Sequence, residues 1–315
     1  HFQEPIEKPT DPAILITLPN TFATMSATAS LHKRIATAAF NTVNTAVSFL
    51  KIGVMSKQAP KLPQANHSRC IVLGNGPSLS NLLAEHPSHF TSCSLIAVNG
   101  FALADDYKKL QPRYYVLLDP GIWLAESTWI NDMLRAISDN TSWELHLMIP
   151  HQAKGTGNLA ILKQNQQIRI HFINYVVYKG WNGPGFYFWK RNKAMPQCQN
   201  VLVAALFLAI NIGYKEIELA GADHNWHETL AITDDNVVCL KHVHFYDKQE
   251  QISYRPFYKT AATKETFRMD EIFHAWARVF HGYWRIKEYA AYRGAHIVNI
   301  SNPSFVDAFE RKKLN

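Results

Sequence analysis

Acidic residues are missing from a long stretch near the N-terminus. No Asp or Glu occurs between Asp11 and Glu85, whereas six Lys and Arg residues fall in that interval, and the whole chain carries a formal charge of +7. A basic segment without acidic partners favours contact with an anionic surface or ligand, but it is equally typical of the solvated face of an ordinary helix. Both interpretations stay open on the sequence alone.

Cysteine and long apolar runs are also scarce. The four cysteines form no Cys-x-x-Cys pair, which argues against a disulfide framework and a zinc knuckle and favours a reduced, cytoplasmic protein. They are Cys70, Cys93, Cys198 and Cys239. No run of roughly 18 apolar residues occurs, so a membrane-spanning helix is not expected. We expect a cytoplasmic location, with the inner face of the cytoplasmic membrane as the alternative.

Familiar nucleotide and metal signatures are incomplete. The sequence has no Gly-Lys-Ser/Thr of a Walker loop, no Asp-x-Asp motif and no full Gly-x-Gly-x-x-Gly, since Leu79 stands where the last glycine would be. A transferase built on an Asp-x-Asp metal site is therefore not predicted, and no metal site is expected on the main interpretation.

The chain is long enough, at 315 residues with 47% hydrophobic content, to bury a large core. Residues 1–61 predict a Pro-rich arm followed by an amphipathic helix from about Ser30 to Val54. Residues 62–315 predict one nucleotide-binding catalytic domain. The basic helix either packs on that domain, pairs with another subunit in a homo-oligomer, or lies on a bilayer as a peripheral membrane contact.

Short apolar strands alternate with helical patterns through the catalytic domain. The strands are expected at 70–73, 94–100, 113–121, 143–149, 168–173, 215–224 and 296–300. Near-continuous apolar strands separated by helices predict an α/β, Rossmann-like fold with a mostly parallel sheet and helices on both faces. Ligands of such sheets bind beyond the carboxyl ends of the strands.

The turn after the first strand is the leading candidate site. It consists of Gly74, Asn75, Gly76, Pro77 and Ser78. Glycines let a backbone approach a ligand closely, and the free N–H groups at a helix start favour a phosphate. Ser78 is expected to cap the helix that follows. The turn therefore predicts a phosphate cradle, with a plain strand–helix turn as the alternative.

Polar residues follow three further strands. Asn99 and Asp119 end the second and third strands, and Gly221 precedes the acid–imidazole pair Asp223 and His224. Because the carboxyl ends of parallel strands meet at one edge of the sheet, these residues are expected to face one crevice.

Two later segments are expected to fold over a ligand. The Gly- and aromatic-rich segment 180–189 predicts a loop, and residues of about 225–263, rich in His and Tyr, predict a lid insertion. A long helix is predicted from Met269 to about Arg293, and a short helix is expected at the C-terminus.

Taken together, the strand ends resemble the bacterial sialyltransferases of glycosyltransferase family 42 and the related 6-hydroxymethylpterin pyrophosphokinase-like family. The matching pieces are Gly74-Asn75-Gly76-Pro77-Ser78-Leu79, Asn99, Asp119-Pro120, the run 213–223 and Asn302-Pro303-Ser304. They occur in the same order over residues 70–305. The resemblance implies a GT-A-like variant of the Rossmann-like fold and a sugar-transfer activity, with a nucleotide-sugar donor and a cell-surface glycan acceptor of lipopolysaccharide or capsule.

The same resemblance implies residue roles. Asn75 and Asn99 would hold the cytidine nucleotide, Asn302 and Ser304 would lie near its base and ribose, and Asn200 would face the donor. Asp119 departs from the family, which carries Asn at that position. The donor would be a CMP-activated sialic acid or a Kdo-like sugar, and no nucleic-acid partner is expected.

The family's catalytic histidine, which precedes the last long helix, has no counterpart here, since residues 260–268 contain no His. His242 and His244 in the lid are therefore the predicted general bases, because a neutral imidazole suits proton removal from an acceptor hydroxyl. Tyr246 is the predicted partner of the donor phosphate, and Asp223 and His224 complete the predicted catalytic set.

Three alternatives remain. A pyrophosphokinase-like enzyme would use ATP and place Mg²⁺ on Asp119 and Asp223. A zinc hydrolase would use His224, His227, His242 and His244, although their spacing matches no known motif. A nucleotide-binding scaffold protein without catalytic activity is the third.

Overall fold

The computed structural model describes residues 21–125, 127–241, 254–259 and 264–314, with the side chains of all these residues except 21–30 and Lys241. The strands are β1 (Arg69–Leu73), β2 (Ser94–Val98), β3 (Tyr114–Val116), β4 (Leu145–Pro150), β5 (Ile168–Ile173), β6 (Glu216–Ala220), β7 (Leu230–Ile232), β8 (Val238–Lys241), β9 (Tyr254–Pro256), β10 (His296–Asn299) and β11 (Glu310–Arg311). The helices are α1 (Thr21–Met55), α2 (Ser78–Glu85), α3 (Asp106–Leu110), α4 (Gly121–Leu124), α5 (Thr128–Asn140), α6 (Gly157–Lys163), α7 (Asn182–Lys190), α8 (Val201–Ile212) and α9 (Met269–Arg293).

Eight strands form one sheet in the order β11-β10-β6-β1-β2-β3-β4-β5. Every pairing in this sheet is parallel. The chain adds strands outward from β1 to β5 and then returns to the other side of β1 with β6. This reversal lies between β1 and β6, which is where ligands commonly bind in open α/β sheets. The predicted Rossmann-like α/β fold is confirmed.

Both faces of the sheet are covered by helices. In β1, Cys70 and Val72 point into a core shared with α7, α8 and α9, whereas Ile71 and Leu73 point into a core shared with α2 and α5. Because successive side chains of a strand alternate between faces, a strand buried on both sides must be apolar at every position. This is why the continuous apolar runs could be recognised as strands.

Helix α8 is the most deeply buried helix of the described chain, because it lies between the sheet and α9. All of its residues except Val201 and Asn211 are buried. Gly282 of α9 allows the two helices to approach, since a Cβ at this position would lie 3.2 Å from Cγ2 of Val203. A helix that is apolar on every side is expected only in such a position.

Helix α1 extends the predicted helix at its N-terminal end and packs on the body of the protein. Ile52 joins the core, and Ser48 Oγ donates to the carbonyl of Lys179 at 2.9 Å. Among the described helices, none is both long and apolar enough to cross a membrane.

Two local expectations were wrong. The segment 180–189, predicted as a loop, is mostly helix α7, because Phe186 and Trp189 gain burial in the core and Pro184 lies in the first turn, where its missing N–H costs little. Gly185 is needed there because a Cβ would lie 2.7 Å from the ring of Tyr178. The predicted C-terminal helix is absent among residues 301–314, where β11 extends the sheet instead.

The predicted lid contains regular structure in its described part. Strands β7, β8 and β9 form a small antiparallel sheet that is separate from the main one. His242, His244 and Tyr246 lie outside the described residues, so their predicted roles stay predictions.

Candidate functional site

The turns that follow β1 and β6 are packed directly against each other. The N–H of Gly74 donates to the carbonyl of Ala220 at 2.7 Å, and the N–H of Gly76 donates to the carbonyl of Gly221 at 2.9 Å. A Cβ at Gly74 would lie 2.3 Å from the carbonyl oxygen of Gly221, and a Cβ at Gly221 would lie 2.5 Å from that of Gly74. The glycines are thus required by the contact between the two turns.

The N-terminus of α2 holds a carboxylate of the protein itself. Oδ2 of Asp223 accepts the N–H of Ser78 at 2.9 Å, and Oδ1 accepts the hydroxyl of Ser78. Ser78 is the first residue of the helix and Pro77 occupies the cap position without a side-chain cap bond, so the predicted Ser78 cap was wrong. A negative charge at a helix N-terminus is favourable, and here Asp223 supplies it where the sequence predicted a phosphate.

Asp223 and His224 are both buried, and burial moves their pKa values in opposite directions. Burial raises the pKa of Asp223, and the two hydrogen bonds from Ser78 oppose that rise. Burial lowers the pKa of His224 to about 3, so its imidazole is neutral at physiological pH. Nε2 of His224 lies 2.7 Å from the hydroxyl of Tyr283, and the ring stacks on Trp226 at 4.2 Å.

On the other side of β1, two asparagines leave acceptors unused. Nδ2 of Asn75 donates to the carbonyl of Val98 at 3.1 Å, which places this side chain beside Asn99 at the end of β2. The side-chain oxygens of Asn75 and Asn99 are buried and have no hydrogen-bond partner among the described residues. Buried acceptors without a donor are costly, and a bound ligand with N–H or O–H groups would satisfy them.

The position of Asn99 is fixed by its backbone. Its φ is +47°, a left-handed conformation that Asn tolerates better than most residues. It opens a 3₁₀ turn, Asn99–Leu103, and the hydroxyl of Tyr115 donates to the carbonyl of Asn99 and accepts the N–H of Ala102. Tyr115 thus holds the backbone of this turn, a contact that could not be predicted from the apolar pattern of β3.

Asp119 and Asn200 also lie at the carboxyl edge of the sheet. Asp119 is exposed, and its Oδ1 accepts the N–H of Gly121 at 2.8 Å. Asn200 caps α8, with Oδ1 accepting the N–H of Leu202 at 2.8 Å. The opposite end of α8 accepts a hydrogen bond from Ala65, just before β1, so Asn200 lies at the edge where β1 ends.

Asp119 and Asp223 follow strands that are far apart in the sheet. They follow β3 and β6, which are separated by β1 and β2. At the usual spacing of neighbouring strands this corresponds to about 14 Å, which exceeds the span of one Mg²⁺ coordination sphere. Both oxygens of Asp223 also bind Ser78. Asp119 and Asp223 are therefore not placed to share one magnesium ion.

The loop carrying Asn302 and Ser304 closes over the end of β6. Ser304 is buried, its hydroxyl donates to the carbonyl of Ala222 at 2.6 Å, and it accepts Nδ2 of Asn299 at 2.9 Å. The N–H of Phe305 donates to the carbonyl of Asp223 at 2.8 Å. Asn302 is exposed. The Ser304 hydroxyl is thus engaged inside the protein, whereas the side chain of Asn302 faces solvent.

The zinc alternative finds no support in the described ranges. Within residues 21–125, 127–241, 254–259 and 264–314, no three His, Cys, Asp or Glu side chains are grouped to hold a metal ion. His224 is paired with Tyr283, and His227 is exposed and lies 4.4 Å from the ring of Phe305.

The sequence matches no model of a known protein family, and a search among curated proteins finds no match. Among solved structures, the chain is similar to the MAf glycosyltransferase from Magnetospirillum magneticum AMB-1, with 9% identity and a TM-score of 0.48. The likeness covers 85% of this chain and 37% of that one, so the chain spans little more than a third of that protein's length. A likeness at this level carries no conclusion on function.

Proposed function

We propose that the protein is a glycosyltransferase that moves a sugar from a nucleotide donor to a glycan acceptor. The donor is a CMP-activated acidic sugar, a sialic acid or a Kdo-like sugar, and the transfer inverts the configuration of the sugar carbon. The motifs at the ends of β1, β2 and β6 support this assignment through their resemblance to family 42.

The observation that carries the proposal is the pair of unused acceptors at Asn75 and Asn99. Two amide oxygens without donors suit a ligand that presents hydrogen-bond donors, and a cytidine nucleotide does so through its ribose hydroxyls and its exocyclic amino group. The nucleotide would then lie across the ends of β1 and β2, with the N-terminus of α8 beside it.

In the proposed reaction, a base removes the proton from an acceptor hydroxyl, the acceptor oxygen bonds to the anomeric carbon of the sugar, and the bond from that carbon to the donor phosphate breaks, which releases CMP. His242 and His244 are the proposed bases, and the Tyr246 hydroxyl is proposed to stabilise the leaving phosphate. Asp223 and His224 are proposed as positioning residues, because their polar atoms already hold Ser78 and Tyr283. No metal is part of this proposal.

Isothermal titration calorimetry with CMP, CDP, UDP, GDP and ATP, each with EDTA and with Mg²⁺, tests the nucleotide. We expect CMP to bind equally well in EDTA and in Mg²⁺. Asn75→Ala should weaken CMP binding by roughly tenfold or more, since one hydrogen bond to the ligand is lost and the bond to Val98 no longer holds the turn.

The matched control is Asn165→Ala. This half-buried amide donates to the carbonyls of Ser138 and Thr141, at 2.6 and 2.7 Å, away from the ends of β1 and β2. It should lower stability without changing CMP affinity. Binding of ATP only in Mg²⁺ would instead support the pyrophosphokinase alternative, and unchanged CMP affinity in Asn75→Ala would remove this turn from the site.

A further inference from the structure

Helix α1 presents a row of apolar side chains to solvent, whereas Thr45 and Ser48 face the protein. The exposed row follows three- and four-residue steps and consists of Phe40, Val43, Val47, Leu50 and Val54, which are 68, 63, 42, 72 and 80% exposed. A helix packed on a protein normally shows the opposite arrangement. The row therefore lacks a partner among the residues that the structure describes.

The polar face of α1 is held by specific hydrogen bonds. Ser48 Oγ donates to the carbonyl of Lys179 and accepts its N–H, both at 2.9 Å, and Thr45 Oγ1 accepts the N–H of Trp181 at 3.0 Å. A Cβ at Gly180 would lie 2.2 Å from Thr45 Oγ1, so glycine is required for this close contact. These contacts fix the rotation of the helix and keep the apolar row turned outward.

The charged side chains of helix α1 all have one sign. Helix α1 contains no Asp or Glu, and no acidic residue occurs anywhere from residue 12 to residue 84. Lys33, Arg34 and Lys51 lie on the helix itself, and Lys57 and Lys61 follow directly after it. An apolar row with basic flanks is typical of a helix that lies in the interface of an anionic membrane.

Aromatic and basic side chains continue this surface onto α7. Trp181 is 44% exposed and donates its indole N–H to Thr42 of α1 at 3.2 Å. Tyr187 is 50% exposed, and Cζ of Arg191 lies 3.6 Å from the centre of its ring. Trp and Tyr are favoured at the boundary between lipid and water, where one end of the ring is apolar and the other is wet.

We propose that α1 lies flat on an anionic lipid bilayer, with Phe40, Val43, Val47, Leu50 and Val54 inserted at the level of the headgroups. The same spacing would suit pairing with α1 of a second copy. A second copy, however, would bring the same positive charges and no carboxylate on its helix to meet them, whereas an anionic surface neutralises them. The charge therefore favours lipid over self-association.

Co-sedimentation with vesicles tests the proposal. We expect the full chain to bind vesicles of phosphatidylcholine with a quarter phosphatidylglycerol, to bind pure phosphatidylcholine more weakly, and to lose affinity at high salt. Leu50→Glu should reduce binding to the anionic vesicles by roughly tenfold or more. The matched control is Leu124→Glu, since Leu124 is 73% exposed on the opposite face of the sheet, and it should bind like the parent protein.

Circular dichroism of Leu50→Glu should show an unchanged melting curve, because the side chain lies in solvent. Sedimentation velocity in the absence of lipid supplies the second measurement. A dimer that Leu50→Glu converts to a monomer, with no vesicle binding by the parent, would overturn the proposal in favour of a second copy. Absence of both binding and dimer, or vesicle binding that Leu50→Glu leaves unchanged, would also overturn it.

Discussion

Strand β1 has two different neighbours at its carboxyl end. Toward β6, the two turns are in backbone contact through Gly74 and Gly221, and Asp223 binds both donors of Ser78. Toward β2, Asn75 donates to the carbonyl of Val98, and the buried side-chain oxygens of Asn75 and Asn99 have no donor among the described residues. On the side of β6, the polar groups of the turn are paired within the protein, whereas on the side of β2 two hydrogen-bond acceptors are left without a partner among the described residues.

The difference separates two roles that a glycine-rich turn can combine. The glycines face β6, where they permit packing, and the asparagine between them faces β2, where we propose that it meets a ligand. Changes on the β6 side should therefore alter stability, whereas changes on the β2 side should alter ligand binding.

The largest effect is expected from Gly74→Ala. The new Cβ would overlap the carbonyl of Gly221 at 2.3 Å, so the turns must separate, and we expect the free energy of unfolding to fall by about 3 kcal/mol. Urea denaturation measures this loss. Gly157→Ala is the control, since a Cβ there meets no atom within 4 Å, and equal stability of the two variants would contradict the close contact.

The second effect concerns pH and His224. Its pKa in the folded protein is about 3, below the ordinary value of 6.5, so the folded state stays unprotonated while the unfolded state takes up a proton. This contribution to stability is full above pH 6.5 and declines as the pH falls toward 3, with a slope of up to about 1.4 kcal/mol per pH unit.

His224→Asn should remove that slope, since Asn does not titrate and accepts the left-handed φ of +54° at this position. Urea unfolding at several pH values between neutral and acidic measures it. The variant should be less stable at neutral pH, because the contact with Tyr283 is lost, yet less sensitive to acid. An unchanged slope would show that other groups carry the acid sensitivity, such as His146 on β4, whose pKa burial lowers to about 4.

Asp223→Asn is expected to have a smaller effect on stability, with the opposite dependence on pH. Burial raises the pKa of Asp223 in the folded protein, so its contribution to stability is full below the unfolded pKa and is lost as the pH rises through the folded pKa. Asn keeps one hydrogen bond to Ser78 and does not titrate, so the stability of the variant does not change with pH through this side chain. The free energy of unfolding of the parent protein should exceed that of the variant by about 1 kcal/mol in acid, and the difference should shrink toward neutral pH, as measured by urea unfolding.

The smallest change in stability is expected from Asn99→Gly. Glycine accepts the φ of +47°, so the free energy of unfolding should shift by less than about 1 kcal/mol, while CMP affinity falls through loss of the amide. Calorimetry and thermal unfolding measure the two quantities. Asn236→Gly is the control at an exposed Asn that also has a left-handed φ, and a parallel loss of CMP affinity in both variants would contradict a specific role for Asn99.

Much of the fold could be predicted from the sequence because every central strand is buried on both faces, which leaves a continuous apolar run such as that of β1. Helix α7 could not, because its Gly-Pro-Gly segment is typical of a loop, and only the burial of Phe186 and Trp189 makes it helical. Local composition does not report such tertiary contacts.

The candidate site shows the same division. The polar residues at the strand ends could be recognised one strand at a time, and the structure places Asn75 beside the end of β2 as expected. The pairing of Ser78 with Asp223 joins residues 145 positions apart, and no local pattern indicates that a carboxylate will occupy the start of α2. The group that binds at the N-terminus of α2 depends on which strand lies beside β1.

The strand order also determines when each of the two edges of β1 pairs with a neighbouring strand during synthesis. Strand β2 can pair with β1, and β3 to β5 can then extend the sheet, as soon as each leaves the ribosome. Strand β6, which covers the other edge of β1, follows roughly 140 residues after β1. At a synthesis rate of about 5 to 20 residues per second, that edge stays unpaired for roughly 7 to 30 s. An apolar strand with an open edge is prone to pair with other chains, so the nascent protein is most exposed to aggregation, and most in need of a chaperone, before Glu216–Ala220 emerges.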